Sequence, residues 1–441
     1  MPRPNAEDGV PGRETKRKAS RSGRGRSDLE ATPPGGTGPT DRPLRIAAVE
    51  PYFGGSHRHF LEDLARYSRH RVELFTLPPR LWKWRVRGAA LHLAPALNAA
   101  GDFDLLLCSD FVNVADLRAL LVPALRTRPI LYYMHENQLS YPLSPDEDFD
   151  PYFGFTNVMS CLSAEAVAFN SEFHRREFLE RLPGFLPRLP DYDRRQVVAT
   201  IHAKAEVLPL GLDLEELERL RPETARHQAP VRDPSLAMDS QGSAAASRPK
   251  PISPRRILWN HRWEFDKAPE RFFAALEALV ARDVPFVVDV VGESFARRPD
   301  VFDLARSRLG ERVGHFGYLE DRAAYVRTLW EADIVVSTAL QEFFGIAMAE
   351  AVWCGAWPIA PRALVYEDLY GGADADRHLY RDDAELLRLL EAALAAPGLE
   401  SSSRLRERLA AFDWRRVAAL FDARFAAIAG LGELPPPTDA S

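Results

Sequence analysis

From Leu44 onward the chain alternates short apolar runs with amphipathic stretches. The runs Leu44 to Val49, Val72 to Leu77, Asp104 to Cys108, Ile130 to Met134, Ala166 to Asn170 and Ala205 to Leu208 are aliphatic, end in polar or turn residues, and read as buried strands. Helical periodicity fills the gaps between them. This predicts a parallel sheet covered on both faces, because a parallel crossover needs a helix to carry the chain back. The runs Arg256 to Trp259, Phe286 to Val291, Val313 to Phe316, Asp333 to Ser337 and Trp357 to Ala360 repeat the texture. Near the end, Asp413-Trp414 followed by Val417, Leu420, Phe421, Phe425 and Ile428 has the spacing of an Asp-capped amphipathic helix that packs into a core or between domains.

The fold class is therefore α/β, with two doubly wound Rossmann-like domains and a cleft between the carboxyl ends of their sheets, where ligands of such folds bind. The boundaries follow composition. Residues 1–42 form a basic arm, rich in Gly, Pro and Ser and carrying Arg13, Lys16, Arg17, Lys18, Arg21, Arg24 and Arg26; it has too little apolar surface to offset its ordering entropy, and disorder is expected. Residues 43–221 form the first domain, and the Pro-rich stretch 222–254 is a linker or insertion. Residues 255–430 form the second domain with its terminal helix, and 431–441 a disordered tail.

Composition narrows the picture. The 441 residues exceed one ordinary core, and 46% hydrophobic residues support globular packing. A net charge of −6 gives no overall pull toward nucleic acid or membrane, so only local charge can argue for either. Cys108, Cys161 and Cys354 lie in apolar runs without metal-binding spacing and read as reduced core residues. No stretch approaches the length of a membrane span and the N-terminus lacks a signal-peptide core, so a soluble cytoplasmic protein is expected.

The chemistry gathers at predicted strand ends. Glu342 and Glu350 stand eight positions apart, with Gly345 opening a helix between them after the strand that ends at Ser337. A helix start exposes unpaired N–H groups and partial positive charge, so this segment suits a phosphate with a carboxylate on either side. Gly54 and Gly55 follow the first strand, where they let backbone approach a ligand, and Ser56 is placed to cap the helix after them. The pair does not fit the G-x-G-x-x-G spacing, which counts against a dinucleotide-dependent oxidoreductase. His135 follows a third strand, and Arg262 and Lys267 follow a fourth, where both cations could converge on a diphosphate. The run Asp146, Glu147, Asp148 and Asp150 imitates a metal-binding acidic signature, but reads as a solvated loop since Arg, Lys and a helix terminus can neutralise phosphates. No metal is expected.

With these residues assembled, the chain resembles the retaining GT-B glycosyltransferases, whose E-x7-E signature is Glu342 to Glu350 here. More narrowly, Pro51-Tyr52-Phe53-Gly54-Gly55-Ser56-His57, His135-Glu136-Asn137-Gln138-Leu139-Ser140-Tyr141-Pro142, Asn157 to Leu162, His261-Arg262-Trp263-Glu264 and Glu342-Phe343-Phe344-Gly345 resemble the tRNA-queuosine α-mannosyltransferase family. That resemblance implies transfer of mannose from GDP-mannose, with no cofactor beyond this donor, to queuosine in tRNA for aspartate. It also implies that His135 and Glu342 act at the reacting sugar, with Gly54, Gly55, Arg262, Lys267, Phe344, Gly345 and Glu350 on the donor. Phe265 and Gln341 stand where the resemblance would lead one to expect histidine. Two other readings share these residues: a GT-B enzyme acting on another acceptor, and a non-catalytic RNA-binding protein using the basic arm with a degenerate cleft.

Overall fold

A computed structural model describes residues 42–144, 148–188, 194–223, 254–294, 299–396, 399 and 403–430. The predicted arm up to residue 41, residues 224–253 of the linker, the tail 431–441, and Asp146 and Glu147 lie outside the described residues.

Six strands, β1 Arg45–Glu50, β2 Arg71–Thr76, β3 Leu105–Ser109, β4 Ile130–Met134, β5 Ala166–Phe169 and β6 Ala205–Val207, form a parallel sheet in the order β2-β1-β3-β4-β5-β6. Six more, β7 Arg255–Trp259, β8 Phe286–Val291, β9 Val313–Gly317, β10 Ile334–Val336, β11 Trp357–Pro361 and β12 Leu379–Tyr380, form a second in the order β12-β11-β10-β7-β8-β9. The central strands β3 and β4 are buried at every position because helices cover both faces, whereas the edge strand β2 is only half covered. Every predicted run became a strand to within a residue or two. Strand β12 had no sequence signal, since two residues cannot show a period; its pairing of Leu379 with Ala360 defines it.

In each sheet the order reverses beside the first strand of the domain, β1 or β7, and the polar residues of interest follow the carboxyl ends of the strands there. One expected cap is absent. The first helix runs Gly55–Tyr67 with Gly54 at its N-cap and no side-chain cap, so Ser56 lies inside it. Two successive glycines let the backbone turn before a serine is reached.

The terminal helix Trp414–Ile428 crosses back onto the first domain. Asp413 caps it by accepting from the Arg415 amide, as its position predicts. Trp414 stacks on Tyr67 at 6.3 Å, and Phe421 lies 5.6 Å from both Phe60 and Tyr133. Leu420 departs from the expected apolar face, being 49% exposed on the far side of the helix. Backbone bonds join the two crossings: Leu212 N donates to Phe412 O at 2.7 Å and Trp414 N to Leu212 O at 3.1 Å. About two turns further on, the buried Asp422 carboxylate accepts from Ser68 Oγ and from Arg69 N at 3.0 Å. His70 completes the clasp. Its Nδ1 accepts from Leu44 N at 3.2 Å, which leaves Nε2 as the donor to the Asp422 carbonyl at 3.3 Å. Burial lowers its pKa, in keeping with that neutral tautomer.

Replacing Asp422 with Ala strands these donors in a buried contact, at a cost of about 1–3 kcal/mol. The expected result is faster amide hydrogen exchange across 414–428, with exchange in β3 and β4 unchanged.

Candidate active site

The first half of the site forms where β1, β3 and β4 end. Glu50, the last residue of β1, is 0% exposed. Its Oε1 accepts from Tyr52 N at 2.8 Å and its Oε2 lies 2.9 Å from His57 Nδ1. His57 projects from the first helix, whose entry depends on both glycines. A Cβ on Gly54 would sit 2.5 Å from Pro79 Cγ, and Gly55 has φ of 51° with open space around it. Of the two, Gly55 is the one whose backbone a ligand could approach, while Gly54 makes room for Pro79.

His135 follows β4 directly. Its N–H donates to Asp110 Oδ1 at 3.1 Å and its carbonyl accepts from Asn170 Nδ2 at 2.9 Å, so neighbours at both ends fix the backbone. The His135 and His57 rings lie 4.0 Å apart, too close for two charges. Burial opposes charge on His57, but the Glu50 carboxylate outweighs it by attraction and hydrogen bonding and raises the pKa to about 9. His135 goes the other way. Burial first, then the charge on His57, pushes it well below the usual range, so it stays neutral. Glu50, His57 and His135 also form the one group among the described residues with metal-ligand spacing, their ligand atoms all within 4.8 Å. In this structure His57 Nδ1 is engaged by Glu50.

The second half surrounds Lys267, at the end of a short 3-10 turn, Phe265–Lys267. Its buried Nζ lies 3.1 Å from Asp266 Oδ2 and 3.3 Å from Glu342 Oε2, and donates to Gln341 O at 3.0 Å. Burial works against all three ions, yet their mutual attraction prevails: the lysine pKa rises and both carboxylates fall below their usual range. The other Glu342 oxygen, Oε1, accepts from Gly345 N at 3.1 Å. The first N–H of this turn, expected to face a phosphate, is thus held by the glutamate itself. Gly345 has φ of 81° and begins the helix Ile346–Trp353, a conformation that side-chain-bearing residues rarely take. His261, between Arg262 and β7, lies 3.2 Å by Nε2 from the Val336 carbonyl; burial first, then Lys267, lowers it to about 4.

The structure joins Lys267, Glu342 and Gly345 directly, leaves His135, Gly54 and Gly55 in the first half, and holds the remaining predicted residues by contacts of their own. Arg262 is 48% exposed and lies 3.2 Å from Glu264. Glu350 has both oxygens engaged, by Arg322 Nη2 at 2.8 Å and by Tyr325 OH at 3.1 Å. Phe344 is buried with its ring edge-on to Phe412 at 5.2 Å, so only its backbone can meet a ligand. Of the acidic run, Asp150 caps the helix Pro151–Ser163 and pairs with Arg87. Of the unusual pair, Gln341 supplies its backbone carbonyl to Lys267 and Phe265 starts the 3-10 turn.

The two halves touch. Tyr141 OH donates to Asp266 Oδ2 at 3.3 Å, Ser171 Oγ donates to the Phe343 carbonyl, and the His174 ring stacks on Phe343 at 3.9 Å. Beside this junction the buried Asp266 Oδ1 and Gln341 Nε2 have no hydrogen-bond partner among the described residues. Native proteins leave few such groups, and functional sites account for many of them. Glu50, Asp110, Arg322 and Tyr325 were not identified from sequence. A carboxylate closing an apolar strand, as Glu50 does, is the signal that could have found one of them.

Two parallel six-stranded sheets covered by helices, with a buried Lys–Glu pair beside a helix start where the two domains meet, have the architecture of a GT-B glycosyltransferase. Solved structures agree on the fold. Sucrose-phosphate synthase from Thermosynechococcus elongatus matches 87% of this chain and 100% of its own at 18% identity and TM-score 0.62. HepE of Anabaena, solved with UDP and glucose, matches 87% and 100% at 16% identity and TM-score 0.59. A family model described as tRNA-queuosine alpha-mannosyltransferase N-terminal matches residues 45–212. The Drosophila melanogaster tRNA-queuosine alpha-mannosyltransferase is 36% identical over 326 residues, 74% of this chain and 81% of that protein. The chain belongs to the tRNA-queuosine alpha-mannosyltransferase family, and is a transferase. More distantly, a GDP-mannose-dependent alpha-(1-6)-phosphatidylinositol dimannoside mannosyltransferase of Mycobacterium tuberculosis (strain ATCC 25177 / H37Ra) is 24% identical over 292 residues, 65% of this chain and 64% of that protein. No helix among the described residues is long and apolar enough to cross a membrane.

Because His57 binds its proton more tightly folded than unfolded, its contribution to stability is complete below about pH 6.5 and is lost as pH rises through about 9. Raising the pH from 7 to 10 is expected to lower the urea midpoint more in the parent protein than in His57→Gln. In Glu50→Gln, where burial is left to dominate, the His57 pKa measured by NMR should fall below 6.5.

Proposed function

We propose that this protein transfers mannose, with retention, from GDP-mannose to queuosine in tRNA for aspartate. The observation that carries this reading is the buried Lys267–Glu342 pair at the junction of the two domains, where Tyr141 meets Asp266. The names of the Drosophila and mycobacterial relatives support the acceptor and the donor respectively.

In a retaining transfer the acceptor hydroxyl arrives on the face that the diphosphate leaves, and charge builds on the departing phosphate and on an oxocarbenium-like sugar. Lys267 and the half-exposed Arg262 stabilise the phosphate as fixed cations, which cost no reorganisation when the bond breaks. Glu342 positions the sugar hydroxyls: one oxygen is tied to Lys267 and the other to Gly345 N–H, so the carboxylate has one orientation. His135, held neutral, hydrogen-bonds a sugar hydroxyl without adding positive charge beside the oxocarbenium. The departing phosphate oxygen takes the acceptor proton. With two cations already placed, the reaction proceeds without a metal.

Incubation with GDP-mannose and queuosine-containing tRNA should add one hexose to the modified nucleoside by mass spectrometry, with EDTA present or absent. Absence of the product with GDP-mannose and every other sugar nucleotide tried rejects the reading. Glu342→Gln should lower kcat by about 10²-fold or more while the far-UV spectrum is unchanged. Lys267→Ala should do the same and also lower the melting temperature, since it leaves two buried carboxylates unpaired.

A further inference from the structure

The helix Trp82–Ala100 carries an anomaly. One face, with Val86, Ala89, Ala90, Leu93 and Leu97, is buried, as an amphipathic helix requires. The solvent side is not simply polar: Leu81, Trp84 and Leu91 are 70%, 69% and 70% exposed. A single exposed apolar residue is ordinary, but three at helical spacing form a ridge, since 81, 84 and 91 fall within one arc of the helical wheel. Cations surround the ridge. Residues 74–101 contain Arg80, Lys83, Arg85 and Arg87 and no carboxylate, in a chain whose net charge is −6. Arg80 is exposed, and its side chain has no ion-pair partner among the described residues. Leu81, at the N-cap of this helix, is held at φ 55°, a left-handed conformation costly for a leucine.

The other side of the same helix packs toward the first half of the site. Trp82 meets Phe111 edge-on at 6.2 Å, Phe111 stacks on Tyr52 at 5.2 Å and lies 5.4 Å from His57. Pro79, in the turn before the helix, fills the space over Gly54. The helix that bears the ridge is therefore anchored, through Trp82 and Phe111, to the half-site that contains His57 and His135. An exposed indole on a stretch rich in cations, with Asp150 pairing Arg87 and Arg80 left without an ion-pair partner among the described residues, suits a nucleic-acid strand: the indole stacks a base, which every base permits, and the cation meets a phosphate.

We propose that the turn and helix from Arg80 to His92 form the RNA-docking surface of this protein, with Trp84 stacking a base of the acceptor tRNA and Arg80 meeting a phosphate beside it. This rests on the tRNA acceptor proposed above. It also accounts for an acidic protein accepting a polyanionic substrate, since the favourable charge is local.

The experiment measures the Kd of queuosine-containing tRNA by fluorescence anisotropy over a range of salt, for the full chain and for Trp84→Ala and Arg80→Gln. GDP-mannose affinity of each variant serves as the folding control. Trp84→Ala should weaken tRNA binding about tenfold, as loss of one base stack does, with donor binding unchanged. Arg80→Gln should flatten the slope of log Kd against log salt by about 0.7–0.9, the loss of one phosphate contact. Arg80 lies on an exposed turn, so this variant decides the matter if Trp84→Ala does not fold. Parent-like affinity and slope in the folded variants overturn the proposal, as does sedimentation showing that Trp84→Ala converts a dimer to a monomer, because the ridge would then belong to a second copy. If the parent binds tRNA through this surface but transfers no hexose, the functional reading fails and the surface stands. If the parent mannosylates tRNA and both folded variants match it in Kd and KM, the surface alone fails.

Discussion

The charge on Lys267 constrains everything around it. An ammonium carried into a protein interior loses several kcal/mol of hydration, and only close, well-placed carboxylates make that tolerable. Asp266 and Glu342 supply them, one from the preceding residue of the same turn and the other from the loop after β10. Two unrelated chain segments are thereby pinned to one point. Glu342 then spends its second oxygen on Gly345 N–H, so the same ion fixes the start of the following helix. Asp266 reaches the other domain through Tyr141. Fold and site depend here on a single electrostatic arrangement, in which no member can change alone.

The first domain solves a related problem by different means. Glu50, fully buried, takes its compensating charge from His57, and the adjacent His135 remains neutral, first through burial and then through the charge on His57. One half of the cleft thus holds a permanent cation among carboxylates, while the other holds a cation whose presence depends on a proton.

Much of the fold was legible because each strand is a short, dense apolar run with helical spacing on either side; β3 and β4, buried at every position, are the clearest cases. Periodicity could not reveal the two-residue β12, nor the solvent face of Leu420, since a helical wheel does not say how wide a stripe its partner will cover. In the site, Lys267, Glu342 and Gly345 were legible from their positions after strands. That Glu342 rather than a phosphate would hold the Gly345 amide was not, because it depends on a contact three residues long and on a lysine 75 positions away. The aromatic at Phe344 illustrates the converse. Sitting inside a signature says nothing about which way a ring points, and Phe412, brought in by the chain's end, provides its packing.

The pairing of Leu212 with the Phe412–Trp414 segment has a mechanical meaning. The polypeptide passes between the lobes once outward and once back, and the two passages are stitched together by backbone bonds instead of lying apart. Two separate tethers would resist rotation about most axes. Fused at Leu212, each tether holds the other in register: a slide of the terminal helix along the first domain would have to tear the Leu212 bonds, so a load on the chain's last helix is shared with the end of the first domain.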